Sequence, residues 1–427
     1  MRIVVDETEA FQETLRALAN RGDDDLARVE SSVRAILEDV RTQGDAAVLR
    51  YAEKFDKRRP DPIVRRDFDG AGALARLPSA TRGALELAAS RIRSFHERER
   101  DPGFRYVEAG VGLGCRVRPL DRAAVYAPGG KARYPSSVLM SAVPAKVAGV
   151  DDVLVVTPLA GDASDDALLA AAHLAGATGV VDLGGAHAIG AVAYGTESVP
   201  KVDKIVGPGN IYVACAKRLV FGTVAIDGVA GPSEILVVCD DEADPRVVAA
   251  DLLSQAEHDE AAYALVACTS VPMAEAVAEE VRNQLETLPR RAIAEASLRD
   301  HGVAFVVSSR ARLADVTNTL AVEHVSLQVR DPEALLAQVR NAGAVFVGAL
   351  TPEAAGDYVA GPSHVLPTGG TVRFGSPLGV YDFYARSSVI SYSAEALARQ
   401  SEAITSFARL EGLEAHARAV EVRLPRR

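Results

Sequence analysis

Asp152-Val-Leu-Val-Val-Thr157, Gly179-Val-Val-Asp-Leu183 and Lys204-Ile-Val-Gly207 are short β-branched runs, with Ala-rich stretches at 166–176 and 186–194 between them. Alternation of this kind argues for parallel βα units. The rhythm resumes after Asp227, with strand-like runs at 234–239, 262–268, 303–308 and 344–347 separated by helical patterns near 246–257, 273–287 and 332–341. Apolar positions at helical spacing among charges predict a helical layer at 24–56 and 80–100. The chain therefore reads as α/β with two parallel-sheet blocks, 126–232 being inserted into a block that starts in the early helices and resumes at Ser233. The expected segments are 1–22, then 23–125 with 233–381, then 126–232, and a C-terminal segment 382–427 that reads as helix with a polar end. The strand-turn-helix units at 124–148 and 204–218 suggest duplicated halves.

At 427 residues the chain exceeds one small core. A formal charge of -11 disfavours nucleic acid and anionic membranes, both of which demand basic patches. A small molecule is the expected partner. No apolar run approaches the roughly 20 residues of a spanning helix, and Met1-Arg-Ile-Val-Val-Asp-Glu7 lacks the apolar core of a signal peptide, so a cytoplasmic location is expected. Cys115, Cys215, Cys239 and Cys268 show no paired spacing and read as buried small hydrophobes.

The chemistry concentrates in the second half. Gln255 and His258 stand three residues apart on what reads as a helix, so one metal ion could touch both. With Asp357 and His416 they would supply an amide, two imidazoles and a carboxylate, near the count that zinc needs, although glutamine is an uncommon ligand. Glu323-His324 is an adjacent acid/base pair. Alone it reads as solvated surface, but its place after an Ala-Val run and before Val-Ser-Leu-Gln-Val predicts the start of a buried strand. Two glycine turns between strand and helix, Val125-Tyr126-Ala-Pro-Gly129-Gly130 and Val206-Gly207-Pro-Gly209-Asn210, suit a phosphate or pyrophosphate, as well as being ordinary αβ turns. The string Gly70-x-Gly72-x-x-Ala75 follows no apolar strand and is expected to be a loop. His96, His173 and His301 have no clustered partners and read as surface or filler.

Taken together these blocks resemble the histidinol dehydrogenases. The resemblance runs from Tyr126-Ala-Pro-Gly-Gly and Tyr134-Pro-Ser-Ser, through Gly207-Pro-Gly-Asn, Ala230-Gly-Pro-Ser-Glu and Ser254-Gln-Ala-Glu-His-Asp, to Gly356-Asp-Tyr, His364-Val-Leu-Pro-Thr and Glu411-Gly-Leu-Glu-Ala-His. It implies two incomplete Rossmann-like domains with small N- and C-terminal segments, in a homodimer with exchanged C-terminal parts. It also implies oxidation of L-histidinol through L-histidinal to L-histidine with two NAD and one zinc per site. By motif, Gln255, His258, Asp357 and His416 look like the zinc ligands and Glu323 and His324 like the catalytic pair. Ser233, His364 and Glu411 look like substrate contacts, alongside those ligands and His324, with Tyr126 and Asn210 at the dinucleotide.

Two departures stand out. His187 follows Gly184-Gly185-Ala186 where the family usually has glutamine touching NAD, and Ser363 precedes His364 where asparagine is common. Some family members oxidise other small alcohols such as sulfopropanediol, but no block here supplies the extra cations an anionic substrate wants. A non-catalytic nucleotide-binding descendant is disfavoured because the polar positions are filled. Covalent capture of the aldehyde by cysteine is disfavoured too, since none of the four cysteines lies in a motif.

Overall fold

The computed structural model describes residues 1–21, 25–129 and 133–425. It divides into two compact units, Met1–Glu99 with Asp121–Phe383, and Arg100–Leu120 with Tyr384–Arg427.

The larger unit contains two six-stranded sheets. The first is parallel throughout and runs, edge to edge, Arg2–Val5, Val303–Val306, Tyr263–Cys268, Glu234–Cys239, His324–Gln328 and Ala344–Val347. Counted from Glu234–Cys239, its strands take the spatial order 3-2-1-4-5, with the N-terminal strand added beyond the third. The second runs Val64–Arg65, Gly179–Val181, Asp152–Val156, Arg122–Tyr126, Lys204–Val206 and Ala225–Ile226. Its five parallel strands repeat the order 3-2-1-4-5, and the short Val64–Arg65 pairs antiparallel at the edge. This is the half-Rossmann winding, present twice. The duplication thus lies at the level of whole sheets.

Both faces of such sheets are covered, which is why their strands are continuous apolar runs. Ile235, Leu236, Val237 and Val238 are fully buried, as are Val153, Leu154, Val155 and Val156. Each such side chain contributes about 1.5–3 kcal/mol on burial. Phe11, from the helix Glu9–Ala19, meets Phe305 edge-to-face with ring centroids 5.3 Å apart. That contact fastens the N-terminal segment to the first sheet.

Three expectations change. The early helix Asp25–Asp56 packs in the core of the second sheet, with Val33, Leu37 and Val40 beside Ile189 and Val192, so it does not belong with the residues after 233. The Gly70–Arg76 stretch is a helix, because the Asp69 carboxylate accepts from Gly72 N at 2.9 Å and caps it. The C-terminal segment opens with a strand, Tyr384–Tyr392, ahead of helices Ala394–Leu410 and Glu414–Glu421. That strand pairs antiparallel with Val111–Pro119, which pairs with Phe104–Glu108, and this sheet and the two helices form the smaller unit. Among the described residues no helix is long and apolar enough to cross a membrane.

One backbone feature borders the chemistry. Ala321 ends the helix Arg310–Leu320 in the left-handed conformation, φ 49° and ψ 60°, two residues before Glu323. A Cβ is disfavoured there. Ala321→Gly is therefore expected to stabilise the protein by about 0.5–1 kcal/mol, the relieved strain outweighing the added freedom of the unfolded chain. A lower thermal midpoint for the glycine variant would contradict this.

Candidate active site

Glu323 and His324 stand at the amino end of the strand His324–Gln328, between neighbours that begin at Glu234 and Ala344. The pair is buried, Glu323 at 7% and His324 at 5% exposure. His324 Nδ1 lies 3.1 Å from the carbonyl oxygen of Glu234. A carbonyl only accepts, so Nδ1 carries the hydrogen and the neutral ring keeps its lone pair on Nε2. Glu323 Oε2 accepts from Glu234 N at 2.9 Å.

A second carboxyl group that motif reading missed completes the centre. Glu353 opens the short helix Glu353–Tyr358, and its Oε1 is 3.3 Å from His324 Nδ1. The spacing of Glu353 and Asp357, one turn apart on a single face, was the available signal. Gly356 lets this helix approach, because a Cβ there would lie 2.6 Å from the Phe346 ring. His324, Glu353 and Asp357 each offer a ligand atom, all within 4.8 Å of one another.

Burial presses the His324 imidazolium to release its proton, but Glu323 and Glu353 outweigh it and its pKa is pushed up to about 10. Burial pushes Glu353 up to about 8. The two shifts compete, since a protonated Glu353 no longer holds the imidazolium. Glu353 is 2% exposed, and among the described residues its carboxylate has one hydrogen bond, from Ser254 Oγ at 3.3 Å, so burial governs its shift.

Gln255 is fully buried near the end of the helix Pro245–Ala256, next to Ser254, and among the described residues neither its amide oxygen nor its nitrogen has a hydrogen-bond partner. Buried amides are rarely left so, and an amide oxygen is a ligand that a divalent cation accepts. His258 sits in the turn beyond that helix rather than on it, is exposed, and is not in the group of three. His364 Nδ1 is 3.0 Å from the Asp357 carbonyl oxygen, and its Nε2 is 3.4 Å from Ser137 Oγ. Ser137 belongs to the helix Pro135–Ala148, which follows the first strand of the second sheet. The centre thus lies where amino ends of the first sheet face a helix start from the second. Ser363 Oγ binds the Met140 carbonyl at 3.2 Å, so it ties the His364 loop to the same helix. Ser233 is half-buried just before Glu234. Glu411 and His416 are exposed, at the end of one helix and within the next, in the smaller unit.

A family model described as histidinol dehydrogenase matches residues 19–424. The chain belongs to the histidinol dehydrogenase family. It is 51% identical over 402 residues to the histidinol dehydrogenase of Lactiplantibacillus plantarum, covering 93% of each chain. The Syntrophotalea carbinolica histidinol dehydrogenase is 49% identical over 429 residues, covering 99% of each. The crystal structure of histidinol dehydrogenase from Elizabethkingia anophelis superposes with a TM-score of 0.93 at 33% identity, covering 99% of this chain and 98% of that one.

The family's glycine turns flank the crevice at the carboxyl ends of the second sheet, between its first and fourth strands, where open α/β sheets bind ligands. Gly207 has φ +105°, and a Cβ there would collide with the Tyr126 carbonyl at 2.2 Å. Tyr126 is buried, and its hydroxyl accepts from Gly185 N at 3.0 Å. Asn210 caps the helix Ile211–Val220 through Oδ1, to Tyr212 N at 3.1 Å and Val213 N at 3.2 Å. Gly130 of the first turn lies outside the described residues.

His187 is 1% exposed and faces Tyr51 and Phe55. Among the described residues neither ring nitrogen has a hydrogen-bond partner, and Asp56 Oδ2 is 3.9 Å from Nε2. Burial lowers its pKa from 6.5 to about 4. Between those values the unfolded chain binds a proton that the folded one refuses, so stability is lost as pH falls below 6.5. His187→Gln is expected to remove this loss, on the order of 2 kcal/mol at pH 5. The thermal-midpoint gap between variant and parent should widen from pH 8 to pH 5; an unchanged gap would refute the assignment.

His96 is buried with Nδ1 2.7 Å from Glu99, His173 is exposed, and His301 packs at 4.7 Å from the Tyr263 ring. Cys215, Cys239 and Cys268 are buried and Cys115 partly so, all as free thiols.

Proposed function

We propose that this chain oxidises L-histidinol to L-histidinal and then to L-histidine, with two NAD and one zinc, in the last steps of histidine biosynthesis. The observation that carries the reading is the convergence of His324 and Glu353, both buried, with the half-buried Asp357, together with a buried Gln255 amide that has no hydrogen-bond partner among the described residues. Gln255, His258 and Asp357, with His416 of the partner subunit, would hold zinc. Bound, zinc would anchor the nitrogens of the substrate as a Lewis acid, and NAD would take the hydride.

The chain's own groups would do the rest. His324, once its imidazolium has released the proton that Glu323 and Glu353 hold on it, accepts the hydroxyl proton of the alcohol at Nε2. Glu323, tied through Oε2 to the Glu234 amide, keeps Oε1 to activate the water that hydrates the aldehyde. Ser233 and His364, with Glu411 of the partner subunit, orient the substrate. Tyr126 and His187, from beneath the glycine turns, and Asn210 at the helix start serve the dinucleotide. The enzyme acts in the cytoplasm as a homodimer with exchanged C-terminal parts.

The deciding experiment counts NADH formed from limiting L-histidinol, with sulfopropanediol for comparison. About two NADH per histidinol, lost on chelation and regained with zinc, is expected for the four-electron reaction. Silence on histidinol with turnover of sulfopropanediol would replace the substrate.

A further inference from the structure

We infer that Arg21 and Glu234 are a buried positioning pair that sets the geometry of Glu323 and His324, a role that rests on the catalytic reading above. The two side chains are 3% and 1% exposed. Arg21 donates to Glu234 from Nε to Oε1 at 2.6 Å and from Nη2 to Oε2 at 2.5 Å. Its remaining bonds, to the carbonyls of Leu18 at 2.5 Å, Leu320 at 2.8 Å and Ala321 at 3.4 Å, tie the first helix to the end of the Arg310–Leu320 helix. That helix end leads directly into Glu323.

The carboxylate of Glu234 has two further bonds. Oε2 accepts from Glu323 N at 3.2 Å and Oε1 from Gly369 N at 3.0 Å, in the loop that follows His364. The backbone of Glu234 reaches the same two residues, its N–H donating to Glu323 Oε2 and its carbonyl accepting from His324 Nδ1. One residue thereby fixes the Glu323 backbone, the Glu323 side chain and the His324 tautomer. A buried ion pair adds little net stability compared with an apolar pair of the same shape. What this pair supplies is a carboxylate with all four lone-pair directions taken by donors.

Glutamine cannot reproduce that pattern. Either orientation of its amide sets an NH2 group against two donors, Arg21 Nε with Gly369 N or Arg21 Nη2 with Glu323 N. The expected result for Glu234→Gln is a kcat about 10- to 100-fold lower in both oxidations, with KM for histidinol within about threefold of the parent and zinc content unchanged. The primary isotope effect with substrate deuterated at the reacting carbon should rise, because proton and hydride removal become slower. Arg21→Lys should fall between parent and Arg21→Gly, and methylguanidinium should restore part of the activity of Arg21→Gly. A Glu234→Gln enzyme that is folded and zinc-loaded with unchanged kcat, or with only KM raised, overturns the proposal. So does methylguanidinium that raises the thermal midpoint of Arg21→Gly without raising kcat. Should Glu234→Gln or Arg21→Gly fail to fold, Arg21→Lys carries the same kcat and isotope comparison. A parent enzyme that ignores histidinol and turns over another alcohol defeats the substrate reading alone, and the comparison is then made on that alcohol.

Discussion

His324→Ala is expected to lower kcat for alcohol oxidation by about 10²- to 10⁴-fold, the usual worth of a positioned proton acceptor. The ring is held with Nδ1–H on the Glu234 carbonyl, which leaves Nε2 as the position that accepts once the imidazolium has released its proton, so the variant loses the acceptor itself. Zinc content should remain, since the proposed ligands are other residues. The loss should be smaller for histidinal oxidation, where water is activated by Glu323. Rapid-quench measurements of each half-reaction would separate the two. Equal losses in both, or an enzyme that releases its zinc, would place His324 elsewhere in the mechanism.

The second large effect concerns exchange between subunits. His324→Ala and His416→Ala chains, each inactive alone, should regain activity when unfolded together and refolded. If the C-terminal part of one chain serves the partner's site, each hybrid has one site with both substitutions and one with neither. Random pairing makes half the dimers hybrid, so about a quarter of sites should work. No recovery despite demonstrated hybrids would mean that each site is made within one chain.

The inner strands of both six-stranded sheets were legible because they are buried on both faces and show as unbroken apolar runs, whereas the edge strands Arg2–Val5, Val64–Arg65 and Ala225–Ile226 are short and partly exposed and carry no such signal. Glu323 and His324 were legible for a related reason: two adjacent polar residues at the head of such a run need a purpose. Glu353 was not, since a lone acid one turn before Asp357 looks like any solvated helix position until Phe346 and His324 close over it. The strand Tyr384–Tyr392 was missed because it is mostly exposed, so no alternation of apolar residues marks it. The short helix Gly70–Arg76 lies under a Gly-x-Gly pattern that resembles a loop, and the residue that marks it is its cap, Asp69. The spacing of Gln255 and His258 reads as one helix face, whereas the helix stops at Ala256.

The Arg21–Glu234 pair joins positions 213 residues apart, and Glu234 meets Glu323 across 89. Contacts so distant along the chain form late in folding, after the loops between them have closed. The proton acceptor is therefore expected among the last features to be completed. Recovery of activity after dilution from denaturant should trail recovery of helix content, and a chain caught with its strands out of register would be inert toward alcohols instead of indiscriminate.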